Sequence, residues 1–536
     1  MLQRQCQPRA PLPAAAARRA AGAGARPVAA AAAARGRSAA GGPALQELDL
    51  KRLYSDATYL PERLIGPVEV QTPPGKSRRV VTKRDVPIGT LLLVSEPLGG
   101  VLQAEPGRTL LPLDLLSHLQ GQRLSEADRF KLCLLYDGSA ASQQRQTSFR
   151  DFEASTATAK AAKAKTAAKG FGGAGGKAPQ QPAAGQQQQL QQQQQGAGEL
   201  TVGRLESILN YNAWGAEVSD LGAAPCRGEE LRAFVGLWPE FALLNHSCVP
   251  NAGATLVGDR LVVRAASAIP RGAQVTTSYL DSKGGVPLAD RRRALDAAYG
   301  FTCRCARCKL EEGAPEAVRA GIERLHGLCL PDAGGPFEGL AAATESLDSA
   351  ALSRTLAAAA PELEAFHAVL DAGGFPAGSL NRVALSAGAA SFFLQLQRAK
   401  VAAAEAAASA AAPGGGEDGG GGGGGVDPLE LFDLVEIMRV YQPGGAGVLA
   451  TAADALSYTA AKFGAGSSQA QAALQLFLKM LLIKFGEVQD RATLERLVDA
   501  VTRSSPRLAS LGLDGGFAIA AEAGAASGGA GQQAAA

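Results

Sequence analysis

The chain has 536 residues, 53 basic against 50 acidic side chains, a formal net charge of +3 and only 5% aromatic residues. That balance lacks the clustered basic face of a nucleic-acid binder, so no direct nucleic-acid binding is expected. The most apolar run, Ala473–Lys484, is charged and too short to span a bilayer, so no membrane partner is expected either.

Residues 1–46 hold seven arginines and no acidic residue, interleaved with Ala, Pro and Gly. An organellar transit peptide has this composition, which would place the chain in a chloroplast or mitochondrion. An unstructured, alanine-biased tail is the equal alternative and leaves the nucleus or cytoplasm open. A basic turn, Gly75-Lys76-Ser77-Arg78-Arg79, leads into two β-rich runs joined at Pro87-Ile88-Gly89, a strand–turn–strand pattern. The spacing predicts a helix over Leu124 to Tyr136. Residues 154–198 then turn into Ala/Lys, Gly and Gln tracts without apolar periodicity, a disordered insertion. An apolar run closes at Asn245-His246-Ser247-Cys248, and β-formers at Gln274–Ser278 predict a strand ending at Tyr279. Beyond Cys308 the apolar spacing becomes three and four. It predicts helices at Glu316–Leu328, Leu347–Ala360, Pro361–Ala372, Ser379–Ala410, Pro428–Tyr441, Gly447–Phe463, Gln469–Phe485 and Arg491–Val501. A Gly-rich linker over 413–425 interrupts the set, and 520–536 is again low complexity, a disordered tail.

Cys303, Cys305 and Cys308 form C-x-C-x2-C in one tight loop. Structural zinc takes four ligands, so such a loop needs one donor from elsewhere. His246 and Cys248 are both available. Cys248 is the better candidate, because an all-thiolate site suits a soft, redox-inert ion. A disulfide is the bland alternative, but cysteines this close pair poorly, and nothing suggests a secreted scaffold. A catalytic metal at His246 is disfavoured, since the four histidines (His118, His246, His326, His367) are widely spread. Tyr279 by itself reads as a half-buried packing residue. Its pairing with Tyr299, just before the cysteine loop, allows both hydroxyls to converge on one narrow channel.

The ordered set NHSC, Ser278-Tyr279, then Tyr299-Gly300-Phe301 followed by the three cysteines resembles the catalytic half of a SET domain. The form it resembles is the zinc-bearing one of the SET-and-MYND lysine methyltransferases. The close resemblance covers about Phe234 to Cys308, with looser matches over Arg63–Gln103 and Leu205–Trp214. It implies an α+β fold: a β-rich SET domain over 63–308 with a post-SET zinc loop at 299–308, followed by an all-α, helical-hairpin or tetratricopeptide-like C-terminal domain over 314–510. It implies S-adenosyl-L-methionine and structural zinc as cofactors, and a protein substrate presenting a lysine, histone or not. Site residues follow by position: Tyr279 catalytic with Tyr299 as channel wall; Lys76, Arg78, Asn212, Asn245, His246 and Phe301 toward the cofactor; Trp214 in the site wall; Cys248, Cys303, Cys305 and Cys308 on zinc. Two departures stand out. Ser77 and Arg79 occupy places where glycines are usual, which raises a catalytically inactive scaffold that binds partner proteins as the rival reading. The MYND zinc module is not recognisable, since Cys6, Cys133, Cys226 and Cys329 lack ligand spacing.

Overall fold

A computed structural model describes residues 49–503 apart from 74–76, 104–109, 123, 146, 153–198, 217–222, 331–333, 411–425 and 489. The expected leader, the insertion, the Gly-rich linker and the tail therefore lie outside the described residues, as does Lys76.

The first half is built from short strands: β1 (Leu64–Ile65), β2 (Val68–Gln71), β3 (Arg79–Thr82), β4 (Leu91–Ser95), β5 (Gly99–Leu102), β6 (Trp214–Ala216), β7 (Phe234–Leu237), β8 (Asn245–His246), β9 (Ala252–Val257), β10 (Arg260–Ala265) and β11 (Thr276–Thr277). They form small sheets with orders β1-β4-β10-β9, β5-β7-β6, β2-β3 and β11-β8. β4 (LLLVS) and β10 (RLVVRA) read as continuous apolar runs rather than alternating ones. The packing explains this: Leu93, Leu261 and Val263 face a core shared with β7 and the Val202–Asn212 helix, while Val94, Val262 and Val257 face the C-terminal helices. Successive side chains point to opposite faces of a strand, so a sheet covered on both sides must be apolar at every position.

The strand–turn–strand over 79–94 is not a hairpin. β3 pairs with β2, and β4 pairs with β1 and β10. The ends diverge because Val86, just before the turn, exchanges hydrogen bonds with Ile269. Within the turn Gly89 has φ +81°, and a Cβ there would lie 2.6 Å from the Leu482 side chain, so glycine is required both by dihedral and by the approach of the Ser468–Phe485 helix. Ladder pairing in the expected Gln274–Tyr279 strand is confined to Thr276–Thr277, parallel to Asn245–His246, with an isolated bridge from Gln274 to Val81.

The second half is helical, as expected, with boundaries close to those read from the apolar spacing: Glu316–Gly327, Pro428–Tyr441, Ala446–Phe463, Ser468–Phe485 and Arg491–Arg503. Two expectations need correction. Leu347–Ala360 and Pro361–Ala372 are one helix, Ser349–Ala372, running through Pro361. Loss of one backbone hydrogen bond at proline is outweighed there by burial of Leu352, Ala359, Phe366 and Leu370 on either side of it. Conversely, Ser379–Ala410 divides into Leu380–Ser386 and Ala390–Ala410 around a 3₁₀ turn at Ala387–Ala389. A Cβ on Gly388 in that turn would lie 2.6 Å from Ile322, so the backbone here is pressed against the Glu316–Gly327 helix. The Pro428–Tyr441, Ala446–Phe463 and Ser468–Phe485 helices pack each on the next. None of the described helices is long and apolar enough to cross a membrane.

Candidate active site and metal centre

The parallel pairing of β8 with β11 sets the site. It brings His246 alongside the residues that follow Thr277, so the backbone N–H of Tyr279 donates to His246 Nδ1 at 3.0 Å. An accepting Nδ1 leaves the proton of a neutral imidazole on Nε2, which lies 3.3 Å from Cys248 Sγ. One ring thus joins the tyrosine segment to the cysteine cluster. The Tyr279 hydroxyl donates to the Leu244 carbonyl at 2.7 Å, fixing the ring from its far end.

Tyr299 ends the Leu288–Tyr299 helix, and Gly300, in the left-handed region at φ +69°, caps it and reverses the chain toward Phe301. The Tyr279 and Tyr299 rings come to 4.9 Å, Tyr279 and Phe301 to 6.4 Å edge-on, and His246 lies 5.3 Å from Tyr279 and 6.0 Å from Phe301. Such spacings are those of favourable tilted and edge-to-face aromatic pairs. Burial pushes the Tyr279 hydroxyl above the usual tyrosine range, against the pull of nearby Arg78, and burial pushes up Tyr299 as well. Both remain protonated hydrogen-bonding groups at neutral pH.

Asn245 reaches in the other direction: its Nδ2 donates to the Arg78 carbonyl at 2.7 Å, tying β8 to the segment before β3. The Arg78 Nε is buried without a hydrogen-bond partner among the described residues, and burial lowers the affinity of that guanidinium for its proton, offset in part by Tyr279. The structure therefore brings Arg78, Asn245, His246, Tyr279, Tyr299 and Phe301 to one place. Asn212 is otherwise engaged: it is buried at the end of the Val202–Asn212 helix, with Nδ2 donating to the carbonyls of Tyr136 and Ile208, both at 2.7 Å. Trp214 packs among Phe234, Trp238 and Phe241, in the core beneath β6 and β7.

Cys248, Cys303, Cys305 and Cys308 gather their sulfurs within 4.8 Å of one another, and none of the four is in a disulfide. The Cys248–Cys303, Cys248–Cys308 and Cys305–Cys308 separations are 3.9, 3.6 and 3.6 Å. Four sulfurs at 2.3 Å from a tetrahedral zinc ion would stand about 3.8 Å apart, so the donor set fits that ion. Hydrogen bonds from Cys248, Cys305 and Cys308 push the Cys303 thiol down, and hydrogen bonding to the other three pushes Cys248 up. A bound dication favours ionisation of all four. No second cluster of this kind occurs among the described residues.

Three residues that sequence reasoning missed surround this centre: Arg291, Arg307 and Glu311, all buried. Arg291 is the first of three consecutive arginines, and nothing in that run marks which one turns inward.

The SET domain family profile matches residues 77–280. Mouse histone-lysine N-methyltransferase SMYD3 is 38% identical over 87 residues, 16% of this chain and 20% of that protein. Human protein-lysine N-methyltransferase SMYD4 is 29% identical over 136 residues, 25% of this chain and 16% of that protein. The chain thus spans about a fifth of the length of these relatives. A crystal structure of the SET domain of LSMT bound to lysine and AdoHcy aligns with 85% of this chain and 94% of that one, at 12% identity and a TM-score of 0.22, too low to superpose one fold on the other. The family match runs from the segment before β3 to the residue after Tyr279, so residues 77–280 of the chain match a SET domain, with similar relatives among the SMYD proteins.

Proposed function

We propose that the chain is an S-adenosylmethionine-dependent protein-lysine N-methyltransferase, transferring a methyl group in line to a deprotonated lysine in the channel walled by Tyr279 and Tyr299. The observation that carries this reading is the convergence of Tyr279, Tyr299, Phe301 and His246, from three separate stretches of chain, on one aromatic cluster. The names of the similar relatives, protein-lysine and histone-lysine methyltransferases, support the substrate class.

The cofactor supplies an electrophilic methyl on a sulfonium; the chain's residues bind, align and exclude water. Displacement at a methyl needs alignment more than acid–base power, and positioning supplies most of the rate. Tyr279, held at its hydroxyl by Leu244 and at its backbone by His246, is a rigid wall for that purpose. A lysine titrates near ~10.4 in water, and the ammonium has no lone pair. Aromatic walls and the half-buried Arg78 cation both disfavour a second positive charge, so they favour the neutral amine. Asn245 holds the Arg78 backbone in place, and Arg78, with Lys76 before it, offers positive charge to a cofactor carboxylate.

The rival reading, an inactive scaffold, rests on Ser77 and Arg79. Neither takes a positive φ; among described non-glycine residues only Leu347 does. Arg79 is a paired residue of β3 opposite Gln71, whose side chain accepts from its guanidinium at 3.2 Å. Glycine's conformational freedom is therefore not needed at either position.

Incubation of the full chain with methyl-tritiated S-adenosylmethionine and lysine-bearing cell proteins tests the proposal. Label recovered as methyllysine supports it. Cofactor binding without any transfer would favour the scaffold.

A further inference from the structure

Arg291 and Arg307 are the largest fully buried side chains among the described residues, and both sit against the four-cysteine cluster. Arg291 Nη2 pairs with Glu311 Oε2 at 2.8 Å and lies 4.0 Å from Cys308 Sγ; its Nη1 donates to the Val286 carbonyl at 2.5 Å. Arg307 donates from Nη1 to the Gly284 carbonyl at 2.7 Å and to the Cys248 carbonyl at 3.4 Å. Among the described residues its Nε and Nη2 have no hydrogen-bond partner, and no carboxylate pairs with it. Glu311 spends its second oxygen on the Leu288 N–H at 2.6 Å.

Two buried guanidiniums with one carboxylate leave a net positive charge inside the protein. Buried charge persists only where an opposite charge compensates it. A dication held by four thiolates carries two negative charges, and it lies where these cations need them. The opposite demand also holds: a buried, doubly negative centre needs positive charge around it, and groups next to the ligands tune how tightly a metal is held.

We propose that Arg291 and Arg307 are charge-compensating positioning residues of the four-cysteine metal centre, and that their positive charge slows release of its ion. Glu311 orients Arg291 but offsets part of that charge. The proposal concerns metal retention and stands independently of methyl transfer.

The test uses the zinc-loaded full chain and follows zinc transfer to an excess of a chromogenic chelator. Arg307→Met keeps the side-chain length and removes the charge, and is expected to release zinc about tenfold faster or more, the scale of neighbouring-group effects on metal affinity. Arg307→Lys keeps the charge while losing the planar fork, and is expected to stay within about threefold of wild type, since a lysine still supplies a point charge. Glu311→Gln removes the offsetting carboxylate and is expected to release zinc no faster than wild type. Release from Arg307→Met at the wild-type rate overturns the proposal. So does Arg307→Lys releasing as fast as Arg307→Met, which would make the role one of packing. Should Arg307→Met fail to fold by circular dichroism, Glu311→Gln decides: faster release than wild type overturns the proposal.

Discussion

At the scale of single residues, His246 and Asn245 work in opposite directions from one two-residue strand. His246 binds the Tyr279 backbone and faces Cys248, while Asn245 holds the Arg78 carbonyl. Asn245→Ala leaves that partly buried carbonyl unpaired, which should cost about 1–3 kcal/mol of stability. By the proposed function it should also weaken S-adenosylmethionine binding by a comparable amount, because the Arg78 segment loses its tether. Thermal unfolding and titration calorimetry check the two halves separately, and unchanged cofactor affinity would remove Asn245 from the binding role. The placement of these residues was legible because they stand together in one short motif, Asn245-His246-Ser247-Cys248. Arg291 and Arg307 were not, because the sequence does not show which arginines of a charged helix turn inward. Asn212 and Trp214 were read from local likeness, and the structure shows Asn212 bonded to the Tyr136 and Ile208 carbonyls and Trp214 packed among aromatic rings.

At the scale of elements, the post-SET loop is short and held by sulfur. Cys305→Ser removes one of four donors to a structural ion whose binding is coupled to folding. The expected result is loss of zinc together with loss of order around Phe301, read by metal analysis and by hydrogen exchange over residues 299–308. A variant that keeps one zinc per chain would contradict this. The tyrosines give a pH prediction. Both hydroxyls have folded-state values raised above their unfolded ones by burial. Stability should therefore be level below about pH 10 and fall as pH rises through the folded values, because only the unfolded chain ionises freely there. Urea midpoints from neutral to alkaline pH check this, and Tyr279→Phe should lessen the fall. Helices were the most legible elements, since apolar spacing of three and four survives in Ala-rich sequence. The short strands were harder: β8 and β11 are two residues each and owe their existence to partners far along the chain, which no local propensity encodes.

At the scale of the whole molecule, the β-rich and helical halves share a core. Val94, Val257 and Val262 of the sheet pack with Leu434, Val448, Phe477 and Leu481 of the helices. Tyr54, in the Leu50–Ser55 helix, donates to the Phe485 carbonyl at 3.2 Å, with the two rings 5.2 Å apart. A chain ending after Gly313 would expose one whole face of the central sheet, so it should not fold cooperatively, as near-ultraviolet circular dichroism would reveal. The apolar runs in β4 and β10 were visible in the sequence; what covers their second face was not.

The proposed function centres on methyl transfer at Tyr279. Tyr279→Phe removes one hydroxyl and its bond to the Leu244 carbonyl, costing about 1 kcal/mol of stability, and leaves the ring and its neighbours in place. Methyllysine formation by wild type and this variant, side by side with methyl-tritiated S-adenosylmethionine, is the most direct test. The account predicts a fall of roughly 10²-fold or more in turnover with zinc content unchanged, because misaligned reactants forfeit the positional advantage. Equal turnover by the two proteins would contradict it and return Tyr279 to a packing role.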